Sequence, residues 1–275
     1  MTEVLALEHI AIISTGPTLS LSVSSGQSLA VVGPAASGKS HFLHVIAGEE
    51  RPAQGSARVH GKVASASSDG FSRRTKVQSA IPRFDTSSKG LRVNDMLYMM
   101  RLGEVRFKPI SELSPGQIAA CELLGPLLSD ADIIVIDGQL DQLDPWTLAE
   151  VLKVIRRLQA SGTSFVVATN RPELLVNFEA IIVLKEKQVR FAGSLEDLRR
   201  LGPAQSIQVS TARQQTVRAL VAPFQISVES SDDGFCFSTP EGQELAAKLL
   251  LEGYGDVQYV VARSASIEEA LLSLF

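Results

Sequence analysis

SLAVVGPAASGKSHFLHVIAG, residues 28–48, reads as an aliphatic strand, a small-residue loop and a helix in immediate succession. Its centre, Gly33, Pro34, Ala35, Ala36, Ser37, Gly38, Lys39 and Ser40, satisfies the GxxxxGK[ST] pattern in full. Glycines and small side chains let successive backbone N–H groups curl around a phosphate, and the N-terminus of the following helix adds a favourable dipole. Lys39 is placed to reach the outer phosphates of a nucleotide and the Ser40 hydroxyl to ligate Mg²⁺. The complete motif, in its strand-to-helix setting, separates it from a glycine-rich turn that binds nothing.

Outward from this loop the chain alternates between strand and helix signals. Upstream, VLALEHIAII and LSLSV read as strands, and SARVHGKVA downstream as a short strand and turn. The polar stretch SASSDGFSRRTKVQ reads as loop. RVNDMLYMMRLG predicts a helix starting near Asn94 or Asp95 and ending at Gly103. ELSPGQIAACELLGPLL is a loop entering a helix, with Ser114 a candidate N-cap. DIIVIDG is an uninterrupted apolar run, the pattern of a strand buried on both faces. LAEVLKVIRRLQASG is an amphipathic helix, and SFVVATN and AIIVLKEKQVRFAG supply further strands. Such alternation predicts a mostly parallel α/β sheet with helices on both faces. LGPAQ at 201–205 marks a boundary, giving expected domains 1–203 and 204–275. Beyond it the order strand, helix, strand, strand, helix, strand predicts a small α+β domain of ferredoxin-like type.

Bulk properties bound the reading. Of the 275 residues, 45% are hydrophobic and 20% charged, enough to bury a real core, and with aromatics at 5% that core is mostly aliphatic. A net charge of −4 gives no reason to expect nucleic-acid binding. The charge is uneven, +1 over the first 203 residues and −5 beyond; between Phe71 and Lys108 nine basic residues face three acidic, a solvated basic face or a docking surface. No apolar run is long enough to span a bilayer, and the acidic N-terminus is not that of a secretory signal. Cys121 and Cys236 lie far apart without metal-ligand spacing, which predicts reduced structural thiols in a cytosolic protein.

Downstream residues narrow the class. Leu113-Ser114-Pro115-Gly116-Gln117 resembles the LSGGQ signature of the ATP-binding cassette (ABC) ATPases. Ile133-Ile134-Val135-Ile136-Asp137 resembles their Walker B strand, and Leu143-Asp144-Pro145 their D-loop ending, with Asp144 at the usual offset. The resemblance covers nearly all of residues 1–200. It implies a P-loop NTPase domain binding ATP and Mg²⁺, with Gly33–His41 on the nucleotide and Ser40 and Asp137 on the metal. It also implies a head-to-tail pair, in which Ser114 and the Gly116 N–H, within Ser114–Gln117, touch the γ-phosphate bound by the partner. Partners on this reading are a second ABC ATPase subunit, the same chain or another, and an integral membrane transporter subunit holding this one at the inner face of the membrane.

The chain departs from that family at the positions that do chemistry. Gly138 stands where the family carries its catalytic glutamate, and Asn170 where it carries its switch histidine. Arg83 aligns with the Q-loop glutamine, with Gln78 a weaker candidate. Near Ile12 and Ile13 there is no adenine-stacking aromatic, His41 replaces a threonine, and Pro115 removes one N–H from the signature. A positioned general base contributes about 10² to 10⁴ in rate, which glycine cannot supply. Asp141 and Glu150 are possible stand-ins, though neither ends the Walker B strand. No catalytic residue is therefore assigned, and the expectation is a site that grips ATP and hydrolyses it poorly. About thirty residues separate Arg83 from Ser114, a shortened helical subdomain for this family. The final SIEEALLSLF resembles the ending of ABC-2 type exporter ATPases. An ATP-sensing scaffold or regulatory module, detached from transport, is the alternative.

Overall fold

A computed structural model describes residues 2–14, 16–66, 74–80, 91–202, 205–211, 213–224, 229–231, 234–239, 242–253, 255–263 and 266–275. Arg83 lies outside them. The chain divides into two compact units, Met1–Leu195 and Glu196–Phe275, a few residues before the boundary read from LGPAQ.

In the first unit, β1 (Glu3–Ala11) pairs antiparallel with β2 (Leu19–Ser24). β3 (Ser28–Val32) runs through the phosphate-loop segment into α1 (Lys39–Ala47), and β4 (Gln54–Val59) returns to pair with β1. These antiparallel strands form a sheet of order β2-β1-β4. β5 (Val63–Ala66) follows, then α2 (Val77–Ala80) and α3 (Val93–Met99). α3 starts from Arg92 without a side-chain cap, so neither Asn94 nor Asp95 caps it. It also stops before Gly103: the left-handed residue that ends it is Arg101, at φ 57°. α4 (Pro115–Leu128), β6 (Ile133–Asp137), α5 (Gln139–Gln142) and α6 (Pro145–Ala160) come next. β7 (Ser164–Thr169), β8 (Ala180–Lys185) and β9 (Gln188–Gly193) complete a six-stranded sheet of order β5-β6-β7-β3-β8-β9. All its pairs are parallel except β8 with β9.

Burial explains the sequence pattern. Every residue of β3 and β7 is buried, so a continuous apolar run rather than an alternating one is what a strand covered on both faces requires. α6 buries Leu148, Val151, Val154, Ile155 and Leu158, the stripe of a helix lying on a sheet. The parallel register sets Val32 beside Thr169 and Asp137 beside Ala168. The C-terminal ends of β3, β6 and β7 thus open onto one edge, where ligands of such sheets bind.

In the second unit, α7 (Leu195–Arg200) leads into β10 (Gln205–Thr211), α8 (Gln214–Val221), β11 (Glu229–Ser231), β12 (Gly234–Thr239), α9 (Gly242–Glu252), β13 (Val257–Arg263) and α10 (Ile267–Leu272). The four strands form an antiparallel sheet of order β11-β12-β10-β13, the arrangement expected of a ferredoxin-like motif. Its own core contains Ile207, Val209, Val217, Val221, Phe235, Leu245 and Leu249. Among the described residues no helix is long and apolar enough to cross a membrane.

Candidate functional site

The loop between β3 and α1 is shaped by backbone constraints that its sequence meets. A side chain at Gly33 would place its Cβ 2.1 Å from the Leu184 carbonyl oxygen, so only glycine fits there. Ala36 and Gly38 adopt left-handed conformations, at φ 60° and 99°. Gly38 lies under the two-residue turn Glu186–Lys187 between β8 and β9, whose positive φ angles of 53° and 59° match the twist of a tight hairpin. The Lys187 N–H donates to the Ser37 carbonyl at 2.9 Å, bracing the loop from above. Lys39 donates to the Gly33 and Pro34 carbonyls at 2.7 and 2.8 Å, which holds its ammonium over the loop mouth. Burial pulls the Lys39 pKa below the usual lysine value, opposed by the carboxylates of Asp137 and Asp141. Ser40 is exposed in the first turn of α1.

His41 turns instead to Glu50: its Nδ1 contacts that carboxylate, which His44 also approaches at 3.3 Å. The His44 hydrogen bond, then the charge and hydrogen bond of His41, hold the Glu50 carboxyl below its usual range.

At the end of β6 the chain is ordered around a glycine. Gly138 has φ 82°, and a Cβ there would meet nothing within 4 Å, so the space is open but the backbone is one that L side chains resist. Its N–H donates to Ala168 of β7 at 3.1 Å. Gln139, buried, accepts from the Asp137 N–H at 2.8 Å and donates to the Ala66 carbonyl and the Glu122 carboxylate at 3.2 and 3.0 Å. Asp141 reaches the end of β7: the Thr169 hydroxyl donates to one carboxylate oxygen and the Asn170 N–H to the other at 2.7 Å. With both oxygens engaged, Asp141 ties the segment after β6 to the end of β7 rather than standing as a free base. Glu150 is bound to Lys153 at 2.6 Å on the surface of α6.

Ser114 caps α4 through a full capping box: its hydroxyl accepts from the Gln117 N–H at 3.3 Å, and its own N–H donates to the Gln117 side chain at 3.0 Å. Pro115 occupies the first helical position, where a missing N–H costs the helix nothing. Gly116 is required by packing, because a Cβ there would lie 2.9 Å from the Gln142 carbonyl. Asp144 caps α6, accepting from the N–H groups of Trp146 and Thr147 and from the Thr147 hydroxyl at 2.6 Å. Ser114, Gly116 and Gln117 share a pocket of about 420 Å³ with Asp144 and Arg101. The sheet edge therefore gathers Gly33–Lys39, Asp137, Gly138, Asp141 and Asn170, while Ser114, Gly116, Gln117 and Asp144 line a second pocket. Gln78, in α2, donates its N–H to the Arg106 carbonyl.

The sequence reading missed the Glu186–Lys187 brace, the buried Gln139 and the presence of Arg101 beside the signature. None carries a motif; only the turn had a signal, two polar residues between apolar strand runs, without the usual Asn-Gly or Asp-Gly. Burial, with Glu122 beside it, pushes the Cys121 thiol up to about 12, which keeps it protonated and inert. Among the described residues there is no cluster of three or more His, Cys, Asp or Glu suited to a metal. Mg²⁺ does not need one, since it takes one or two protein ligands beside phosphate oxygens and water. Ser40 and Asp137 fit that requirement.

The ABC transporter family model matches residues 17–140. A macrolide export ATP-binding/permease protein, MacB, of Bradyrhizobium diazoefficiens is 26% identical over 219 residues, covering 68% of this chain and 34% of that protein. An ABC transporter ATP-binding protein of Bifidobacterium longum is 25% identical over 271 residues, 89% of this chain and 34% of the relative. The chain thus spans about a third of the length of the curated relatives it matches. Among solved structures, an ATP-binding subunit of an ABC transporter superposes with a TM-score of 0.61 at 18% identity, over 72% of this chain and 92% of the other. A dimeric ATP-binding cassette in a post-hydrolysis state, bound to ADP and Pi, gives 0.60 at 18% identity over 69% and 98%. At that identity these likenesses concern the fold alone.

Proposed function

The chain belongs to the ABC transporter ATP-binding family, and from that premise we propose that it is the nucleotide-gripping, hydrolysis-poor member of a paired ATPase. One observation carries the reading. The residue after Asp137 is a glycine in a left-handed conformation, Gly138, while the phosphate loop beside it keeps every constraint its shape demands. The backbone at 138 is not merely missing a carboxylate; it has settled where a glutamate would be strained.

ATP would be held by the loop Gly33–Lys39, with Lys39 moving from its loop carbonyls to the outer phosphates, and Mg²⁺ by Ser40 and Asp137. The bound ion supplies charge neutralisation at the phosphates. Water activation is what the chain lacks. Asn170 offers no titratable ring, Gly138 no carboxylate, and the Asp141 oxygens are engaged by Thr169 and Asn170. A lost general base corresponds to roughly 3 to 5 kcal/mol of barrier. Ser114 and Gly116 complete the site of a second ATP-binding chain, so that ATP on this chain acts as a wedge between partners. A membrane-spanning partner is supported by the relatives that are ATP-binding/permease proteins. That arrangement sets the chain on the cytoplasmic face.

A second reading, an ATP-sensing scaffold detached from transport, is favoured by one feature. Between Leu91 and Leu113 the structure holds only α3 and a single 3-10 turn at Ile110–Glu112, a small platform for coupling to a membrane protein. Co-purification with a polytopic membrane protein separates the two: a stable complex supports the transporter subunit and contradicts the scaffold. Calorimetry with MgATP beside a steady-state hydrolysis assay tests the shared core of both, expected to give saturable binding and background turnover.

A further inference from the structure

Arg101 occupies the position after the last turn of α3 that glycine normally fills. The Leu102 N–H donates to the Leu97 carbonyl at 2.8 Å and the Arg101 N–H to the Tyr98 carbonyl at 3.0 Å, the paired bonds of a Schellman ending. Its φ of 57° is unfavourable for a side chain, and glycine is available two residues on, at Gly103. Strain of this kind persists where the side chain's position matters. Here the side chain is aimed. The guanidinium lies 5.7 Å from the centre of the ring of Trp146, the chain's sole tryptophan, which is 68% exposed. Arg101 also lines the pocket that holds Ser114, Gly116 and Gln117.

That pocket offers an anion few backbone donors: Pro115 has no N–H and the Gln117 N–H is taken by the Ser114 hydroxyl, which leaves the Gly116 N–H beside the neutral side chains of Ser114 and Gln117. It also carries the exposed carboxylate of Asp144, which repels phosphate. Arg101 is the only basic residue among the described residues of its lining. Its charge acts on Asp144, whose carboxyl is held below its usual range first by the Thr147 hydroxyl and N–H and the Trp146 N–H, and then by Arg101.

We propose that Arg101 is a phosphate-binding residue of the signature half-site, supplying the positive charge and hydrogen-bond donors with which that pocket takes the triphosphate held by a second copy of this chain. Trp146 holds the guanidinium in place until the phosphate arrives, and the fork of donors then replaces what Pro115 removed. This assignment rests on the paired-site reading above.

The test uses the full chain, with MgATP, and three forms: wild type, Arg101→Gly and Arg101→Lys. Sedimentation velocity reads MgATP-dependent dimer formation, thermal melting reads stability, and calorimetry at concentrations below dimerisation reads nucleotide binding at the chain's own phosphate loop. Arg101→Gly should melt higher than wild type, because it relieves the left-handed strain, and bind MgATP equally well. It should nonetheless dimerise about a hundredfold more weakly, because each of the two composite sites in a head-to-tail pair of identical copies loses one charge-assisted contact of about tenfold. Arg101→Lys, keeping the charge but not the fork, should recover part of the loss. A dimer that forms equally in wild type and Arg101→Gly overturns the assignment of Arg101 alone. Loss of binding at the monomer's own loop in Arg101→Gly overturns it too. Failure of the wild type to dimerise with MgATP overturns this inference, which commits to a second copy, and leaves the paired-site reading to a partner of different sequence.

Discussion

Gly138 and Lys39 carry the account at the scale of single residues. Because Gly138 sits at φ 82° in open space, Gly138→Ala meets no clash and should still lower stability by about 1 to 2 kcal/mol, read by chemical denaturation. A variant as stable as wild type would show that the left-handed backbone does not hold in solution. Gly138→Glu carries the same strain, so returning a carboxylate by itself should not restore brisk turnover. Lys39→Ala removes the ammonium that the loop carbonyls hold and should abolish nucleotide binding while leaving the fold intact. At this scale the sequence was legible wherever a motif fixes register. Gly138 and Asn170 could be placed just beyond two strands because Asp137 and the apolar run before Asn170 give the frame. Asp141 could not be resolved this way, since its partners Thr169 and Asn170 come from a strand that reaches it only through the β6–β7 pairing.

Elements are fixed largely by their ends. Asp144 caps α6 with three accepted hydrogen bonds, and Asp144→Ala should cost about 1 kcal/mol, measured by thermal or urea unfolding. The same residue gives a pH dependence of known sign. Its folded pKa is depressed, first by the Thr147 hydroxyl, so its contribution is fully present above the ordinary aspartate pKa and is lost as pH falls through the lowered value. Asp144→Asn, whose amide nitrogen cannot accept from the Thr147 hydroxyl, should therefore flatten the acid limb by lowering stability in the neutral region while leaving the most acidic region nearly unchanged. The Ser114 cap was readable from sequence, whereas Asp144, which resembled a D-loop residue there, shows itself as a cap only in the structure. The end of α3 was not readable either: Gly103 is the residue that helix-stop rules select, yet the left-handed position went to Arg101. A rule built on the cheapest backbone fails where a side chain is held against its backbone preference.

For the molecule as a whole, the alternation of apolar runs and amphipathic stretches was enough to give the parallel sheet and, beyond residue 204, the βαββαβ order. What it could not give is which strands neighbour which, since β3 lies between β7 and β8 through contacts more than a hundred residues apart in sequence. The two units have separate cores, with Phe235 fully buried in the second. Phe235→Ala should destabilise that unit by about 3 to 5 kcal/mol while MgATP binding by the first persists, seen as an earlier melting transition beside unchanged calorimetry. The central claim is an asymmetry in the first unit, a phosphate grip kept and a water-activating group lost. The most direct measurement is steady-state ATP turnover by the purified chain with Mg²⁺, at concentrations where calorimetry shows its site filled. The account predicts saturable binding that Lys39→Ala removes, with turnover no faster than that variant's background. Brisk turnover that vanishes in Lys39→Ala would contradict it.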